Sequence, residues 1–149
     1  MKLAQYNVYD LAVFDTEENL IVDFNTMRDV EVFFDEKEDT YFVVARDALL
    51  NTDFLKFIGE SKKQTDLEKY LGKSNKIKIK RRSTKKCKLV AKTVMLNPDS
   101  NKDVKVTLEF PLVETDTTLS LRGNTEIVSE FDVVFKVIPI DDEYFEIHI

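Results

Sequence analysis

The 149-residue sequence is poor in the residues that build tight loops and many active sites: it has three glycines, three prolines, one cysteine, one histidine and no tryptophan. Three glycines leave little room for a phosphate cradle, and no P-loop, dinucleotide-binding or nucleophile-elbow motif is present. A single cysteine excludes an intramolecular disulfide framework and suggests a reducing compartment or no particular one. Turns must instead depend on Asn, Asp, Ser and Thr, whose side chains hydrogen-bond to the nearby backbone.

Long apolar runs are missing as well. No stretch approaches the roughly 18 apolar residues of a membrane-spanning helix, and the first residues, MKLAQYNVYD, lack the apolar region of a signal peptide. Apolar residues make up 43% of the chain and charged residues 34%, which is typical of a folded domain with a heavily charged surface. We therefore expect one domain over residues 1–149, in the cytoplasm or in a particle assembled there.

Charge is segregated along the chain behind a net charge of −6. Residues 1–60 carry −9, residues 61–92 carry +11 and residues 93–149 carry −8. Between Lys73 and Lys92, ten of twenty residues are Lys or Arg and none is acidic. Three interpretations are open: a solvated basic strand pair offset by acidic neighbours in the same fold, a nucleic-acid-binding stripe, or a patch that meets an acidic patch on another copy.

Two features weigh against nucleic acid. The sequence pI near 4.9 implies long-range repulsion from a polyanion. The basic block 73–92 also contains no aromatic residue, whereas binders of single strands interleave basic side chains with aromatic rings that stack on bases. A nucleic-acid-binding β-barrel that uses residues 73–92 stays as an alternative function.

Alternation of apolar and polar residues predicts a mainly β fold. In KDVKVTLEFPL, Val104, Val106, Leu108 and Phe110 face one side, and Pro111 is expected to end the strand or to mark a sheet edge. Similar alternation occurs at residues 20–24, 30–34, 42–44, 77–79, 87–95, 127–137 and 145–149. About nine strands at this spacing predict an antiparallel β-sandwich or barrel.

Helical spacing interrupts this alternation between residues 47 and 72. Thr65 as N-cap and Gly72 as C-cap predict a short helix, and Gly59 is expected to close an earlier one. The earlier helix is predicted from apolar residues at helical spacing, namely Ala48, Leu49, Phe54, Leu55, Phe57 and Ile58. We expect one or two short helices inserted into the single β domain.

No residue set predicts catalysis, a cofactor or a metal ion. His148 is the only histidine, so we expect it on the surface or an edge strand, without the partners of a catalytic pair or metal site. Alternation places Cys87 on an apolar face, as a buried structural thiol. Acidic clusters at residues 35–39 and 141–143 lack the glycine and spacing of a calcium loop and are expected to be hairpin tips. We predict that the protein is not an enzyme.

The order of the predicted elements resembles that of phage tail-tube proteins and the tube proteins of contractile injection systems. N-terminal strands lead into a mid-chain helix, here DALLNTDFLKFIGE. Long strands follow, here KIKIKRR, KCKLVAKTVML and VKVTLEFPLV, and the closing strands are TEIVSEFDVVFKVIPI and YFEIHI. The resemblance covers nearly the whole chain as layout and length, and involves no family-specific motif.

This resemblance implies a two-sheet sandwich that assembles into stacked hexameric rings, with four strands per subunit forming a barrel-shaped lumen for genome delivery. It implies a structural protein of the virion tail, assembled in the host cytoplasm, with no catalytic residues. Its partners would be copies of itself and sheath or other tail proteins, with no membrane. A terminator, adaptor or baseplate protein is an alternative role in the same tail.

Two sets of charged residues follow from the resemblance. An acidic lumen lets DNA pass without binding, and the candidates for its lining are Glu109, Asp116, Glu130 and Asp132. Docking between subunits or rings would join the basic block to the acidic turn, and the candidates are Lys78, Lys80, Arg81, Arg82, Lys85 and Lys86 against Asp35, Glu36, Glu38 and Asp39. For the family's loop to the next ring, the candidates are residues 15–39 and the RRSTKK turn.

Overall fold

Antiparallel strands make up most of the chain, as the alternation predicts. The computed structural model describes residues 4–24, 29–49, 52–61, 64–73, 77–79, 84–124 and 127–149. Within these ranges the strands are β1 (Ala4–Phe14), β2 (Leu20–Phe24), β3 (Asp29–Asp35), β4 (Thr40–Leu49), β5 (Glu60–Ser61), β6 (Ile77–Lys78), β7 (Lys86–Asn97), β8 (Lys102–Asn124), β9 (Ile127–Val137) and β10 (Glu146–His148). Helices α1 (Thr52–Ile58) and α2 (Asp66–Tyr70) lie between β4 and β7. The predicted mainly β class with a helical insert is confirmed.

One long strand organises the sheet. Eight strands form a single antiparallel sheet in the order β2-β1-β7-β8-β9-β4-β3, with β10 added beside β8. Strand β8 has 23 residues and changes its neighbours along its length. Its first part pairs with β7 and β10, and its last part pairs with β9. The sheet therefore has two four-stranded halves, β2-β1-β7-β8 and β8-β9-β4-β3, that share β8.

Both halves of the sheet contribute to one hydrophobic core. The predicted inward faces are confirmed in β8, where Val106, Leu108 and Phe110 are buried, and in β9, where Phe135 and Val137 are buried. Fully buried members from other strands are Leu11 and Val13 of β1, Val43 and Ala45 of β4, and Cys87, Leu89 and Ala91 of β7. Residues of both halves belong to the same buried cluster, which fits the predicted sandwich or barrel.

The prediction that Pro111 ends its strand or marks an edge is wrong. Strand β8 continues through Pro111 to Asn124 and lies inside the sheet. The register with β7 shifts at this point, because Leu89 pairs with Phe110 and Cys87 with Val113. One extra residue in β8 makes a bulge, where a proline without an N–H group is tolerated. The neighbour on the other side also changes here, from β10 to β9.

The first helix is shorter than predicted. Ala48 and Leu49 belong to β4 and pair with β9, and α1 begins at Thr52. Pairing with a neighbouring strand therefore outweighs the helical spacing of these two residues. In β4, Val43 and Ala45 are fully buried, Val44 is 8% exposed and Phe42 is half-buried.

The ends of both helices follow the predicted signals. The backbone N–H of Gly59 donates to the Leu55 carbonyl at 2.9 Å and closes α1. A Cβ atom on Gly59 would lie 2.7 Å from Cγ2 of Ile77, so glycine permits the close approach of β6. At α2, the Thr65 hydroxyl accepts from the N–H of Glu68 at 3.2 Å, and Gly72 adopts a φ of +69° after the last turn.

Helix α1 closes the core through Phe54, which is 2% exposed. Its ring packs edge-on against Phe24 of β2 at 5.3 Å and against Phe135 of β9 at 6.1 Å, so it joins the two halves of the sheet. Helix α2 has no buried residue and leaves Leu67, Tyr70 and Leu71 exposed.

We expect the substitution Phe54→Ala to lower the free energy of unfolding by about 3–5 kcal/mol, because it leaves a cavity between the halves of the sheet. Urea denaturation followed by circular dichroism measures this loss. Tyr70→Ala is the matched aromatic control, since Tyr70 is 87% exposed, and should change stability by less than about 0.5 kcal/mol. Equal effects of the two substitutions would show that Phe54 does not join the halves.

Candidate functional site

The acidic cluster at residues 35–39 forms the turn between β3 and β4. Asp35 Oδ1 accepts hydrogen bonds from the backbone N–H groups of Lys37 at 2.9 Å and Glu38 at 3.1 Å. Asp39 has a φ of +51°, in the left-handed region that Asp tolerates. Asp35 is thus needed for the turn itself, whereas Glu36, Glu38 and Asp39 are exposed.

Two contacts anchor this turn to the rest of the subunit. Glu38 Oε2 accepts from Lys136 Nζ of β9 at 2.7 Å, and this hydrogen bond raises the pKa of Lys136 above its usual value. The Tyr144 hydroxyl donates to the backbone carbonyl of Asp39 at 3.1 Å. Of the four predicted acidic docking residues, Glu38 therefore already has a basic partner in its own chain.

Part of the basic block lies beside this turn. Glu38, Phe42, Thr84, Glu114, Thr115 and Lys136 line a shared groove of about 220 Å³. The chain is held there by Lys85, whose N–H donates to the Thr115 hydroxyl at 3.0 Å and whose carbonyl accepts from the Thr115 N–H at 2.9 Å. Basic and acidic segments of one subunit are therefore neighbours.

The predicted basic docking residues are only partly described. Lys85 and Lys86 are exposed at the start of β7, and Lys78 is exposed on β6. Lys80, Arg81 and Arg82 lie outside the described residues. Lys85, which follows Thr84 and is bonded to Thr115 of the groove, is the predicted docking residue that can be placed near the acidic turn.

The predicted lumen residues lie on two parts of the sheet. Asp116 belongs to β8, and Glu130 and Asp132 belong to β9. In the β8–β9 hairpin, Asp116 pairs with Val134 and Ser120 with Asp132, and the side chains of Asp116 and Glu130 are outside the described part. Glu109 lies elsewhere, in the first part of β8 between β7 and β10.

A cluster that the sequence pattern does not predict surrounds Glu109. Strand β10 places Glu146 opposite Glu109 and His148 opposite Thr107, so both β10 side chains project on the face of Glu109. His148 Nε2 lies 3.1 Å from Glu109 Oε2 and 3.2 Å from Glu146 Oε2. The expected placement of His148 on an edge strand is confirmed, but the expectation that it lacks partners is wrong.

Only part of this cluster was predictable. Glu146 and His148 are two residues apart in an alternating segment, which predicts that they share a face. The third member comes from the register between β10 and β8, 37 residues earlier in the chain than Glu146. The sequence alone does not show which residues of β8 lie opposite β10. Nothing in it therefore links Glu109 to Glu146 and His148.

An open groove begins at Glu109. Its volume is about 300 Å³, and its lining residues are Phe14, Glu18, Lys88, Leu89, Val90, Glu109, Phe110 and Pro111. Lys88 Nζ donates to Glu18 Oε1 at 2.9 Å, and this bond lowers the pKa of Glu18. The ammonium group in the groove is therefore paired with Glu18.

A second pair of carboxylates lies on the outer face of β1 and β2. The Asp10 side chain is only 16% exposed, and its Oδ1 atom has no hydrogen-bond partner within the described part of the chain. Burial and the adjacent Asp23 carboxyl raise the pKa of Asp10 from 3.8 to about 6. Lys92 Nζ, 4.0 Å from Asp10 Oδ2, opposes this rise only in part.

Cys87 is buried in the core, as predicted. It is fully inaccessible, and burial raises the pKa of its thiol from 9.0 to about 12. The thiolate that a nucleophile or metal ligand needs is therefore strongly disfavoured.

Comparisons of the chain with protein-family models, curated proteins and solved structures find no match. Across the described ranges, neither helix has the length and apolar character that crossing a bilayer requires. The sheet edges, charged surfaces and side-chain clusters of the chain are thus the basis for assigning a function.

We expect Asp10→Asn to stabilise the protein more at pH 8 than at pH 5. The pKa of Asp10 is higher in the folded state than its ordinary value of 3.8. Its stabilising contribution is therefore complete below pH of about 4 and is lost as the pH rises through about 6. The asparagine amide carries no charge at either pH, so the variant does not lose this stability as the pH rises. Urea denaturation at the two pH values measures the difference.

Asp15→Asn serves as the control with the opposite sign. Hydrogen bonds from Asn19 and Glu17 lower the pKa of Asp15. The ionised Asp15 side chain therefore stabilises the folded state at pH values above its unfolded pKa, and this stabilisation falls as the pH drops. Asp15→Asn should destabilise the protein at both pH 5 and pH 8. An equal gain from Asp10→Asn at both pH values would contradict the assignment.

Proposed function

We propose that this chain is a self-assembling structural subunit whose copies form rings, and that the rings stack into a tube of the phage-tail type that conducts the genome. The observation that most supports this proposal is the pair of open sheet edges. Within the described part of the chain, β2 pairs only with β1, and β3 pairs only with β4. Open edges favour pairing with another chain.

The exposed side chains at these edges are suited to burial. On β3, Phe33 is 37% exposed and Phe34 is 42% exposed. On β2, Leu20 is 59% exposed. Phe33 stacks on Phe42 at 5.8 Å and Phe34 packs edge-on against Tyr41 at 5.2 Å, so the β3 edge is already ordered. An ordered edge binds a neighbour with a smaller loss of conformational entropy.

The two edges lie at opposite ends of one sheet, so β2 of one copy can pair with β3 of the next. Such a head-to-tail contact uses two different surfaces and closes into a ring when the rotation per copy permits. Ring closure would then pair the β2 and β3 edges of every subunit. A hexamer is the ring expected from the resemblance to tail-tube proteins.

Charge suits the second step, the stacking of rings. Lys85 and Lys86 project at the start of β7, and Glu36 and Asp39 project from the β3–β4 turn. Opposite charges on separate rings would favour one stacking register. The chain's net charge of −6 and the predicted acidic lining from the β8–β9 hairpin would keep DNA from adhering during passage.

We expect Leu20→Lys to prevent ring formation while the monomer stays folded, because Leu20 is largely exposed in the single chain. A charged side chain at the edge opposes strand addition. Light scattering and negative-stain electron microscopy of the untagged protein measure assembly. The matched control is Leu67→Lys on α2, where Leu67 is 66% exposed. Equal assembly of both variants, or equal failure, would exclude the β2 edge as the ring contact.

The charge reversal of Lys85 and Lys86 to Glu is expected to leave rings intact and to block their stacking. High salt should weaken the stacking of the wild type in the same way, since exposed charges are screened. Electron microscopy at two salt concentrations distinguishes rings from tubes. Wild-type rings that never stack would favour a terminator, adaptor or baseplate role.

The same reversal tests the nucleic-acid alternative. A nucleic-acid-binding barrel would bind DNA with an affinity that falls steeply with salt, and the reversal would abolish that binding. A tube subunit should bind DNA weakly in both forms. Salt-sensitive DNA binding by a monomer that forms no rings would contradict the proposed function.

A further inference from the structure

We propose that Glu109, Glu146 and His148 form a binding site for a divalent transition-metal ion such as Zn²⁺. The inference does not depend on the assembly proposed above. It rests on three potential ligands, one imidazole and two carboxylates, whose donor atoms all lie within 4.8 Å of one another.

The spacing of the donor atoms fits a metal centre. Zinc bonds to histidine nitrogen and carboxylate oxygen are about 2.0–2.2 Å long, so adjacent ligands of a tetrahedral site lie about 3.3–3.6 Å apart. His148 Nε2 is 3.1 Å from Glu109 Oε2 and 3.2 Å from Glu146 Oε2. An ion therefore needs only small side-chain movements to replace the direct contacts.

Backbone pairing holds the three ligands in place. Glu109 and Glu146 are directly opposite in the antiparallel pair of β8 and β10, and His148 is two residues beyond Glu146. Residues in these positions project from the same face of a sheet. Strand β8 is also paired on its other side, with Val90 of β7 opposite Glu109, so the site has a rigid base.

The ligand types favour a transition metal over calcium or magnesium. Imidazole nitrogen suits Zn²⁺, Ni²⁺, Cu²⁺ and Fe²⁺, whereas Ca²⁺ and Mg²⁺ prefer oxygen ligands alone. Two carboxylates and one neutral imidazole supply two negative charges to a dication. The lysine that lines the adjacent groove, Lys88, is paired with Glu18.

The site is open to solvent. The side chains of Glu109, Glu146 and His148 are 51%, 57% and 54% exposed. Three protein ligands leave at least one coordination position for water or for a group from another molecule. A bound ion would also join the short strand β10 to β8, because it links side chains of both strands.

The single histidine gives the test a specific readout. In protein free of affinity tags, the ring protons of His148 form the only histidine side-chain signals in an NMR spectrum. We expect titration with zinc chloride to shift these signals and to raise the melting temperature, while magnesium chloride does neither. Isothermal titration calorimetry with zinc chloride then gives the affinity.

Variants separate metal binding from a simple contact between imidazolium and carboxylate. Glu109→Gln and Glu146→Gln should each weaken zinc binding at least about tenfold, since even changes outside the first ligand shell weaken metal sites by about 10–100-fold. His148→Ala should abolish the heat of binding. Glu36→Gln removes the same charge from the β3–β4 turn, outside the three proposed ligands, and should leave the affinity unchanged.

Circular dichroism checks that each variant is folded, and all three substituted side chains are more than half exposed in the wild type. The proposal is overturned if zinc leaves the His148 signals unshifted. It is equally overturned if the two glutamine variants bind zinc as tightly as Glu36→Gln does, since the carboxylates would then not be ligands.

Discussion

Continuous hydrogen bonding along β8 is the constraint on which the rest of the structure depends. Its first part pairs with β7 and β10 and its last part with β9, so both halves of the sheet are fixed to one strand. The bulge at Pro111 lets the strand change neighbours without ending. Phe110, fully buried beside the bulge, packs against Phe145 just before β10 at 4.9 Å. The same turning point therefore orders the closing segment and the Glu109 cluster.

The sequence was sufficient to predict the type of each element and its buried face. It was insufficient to predict which strands pair with each other. Alternation placed Val106, Leu108 and Phe110 in the core, and Thr65 and Gly72 marked the ends of α2, because these signals are local. The strand at Ala48 and Leu49, and the passage of β8 through Pro111, depend on partners distant in sequence. Local spacing contains no information on those partners, so the helical and strand-ending predictions failed there.

The same distinction applies to the candidate sites. The acidic segment 35–39 was predictable as a hairpin tip because Asp35 makes its bonds within the turn. That Lys136 pairs with Glu38, and that Lys85 lies near this turn, follow from long-range pairing of β4, β8 and β9. The basic and acidic blocks of the sequence thus indicated that oppositely charged segments pair. They did not indicate whether the pairing is within one subunit or between subunits. The contact between Glu38 and Lys136 places part of it within the subunit.

The open edges and the Glu109 cluster would take part in different contacts of an assembly. Pairing of β2 with β3 of another copy uses backbone groups at the ends of the sheet, whereas Glu109 lies in its interior beside β10. A ring formed through the edges would leave β10 accessible, with Glu146 and His148 on the face of Glu109 and Ile147, which is 57% exposed, on the opposite face. In the proposed assembly, a neighbour seated on the face of Glu109 would contact the side chains of Glu146 and His148, and an ion bound there would have a free coordination position for that contact.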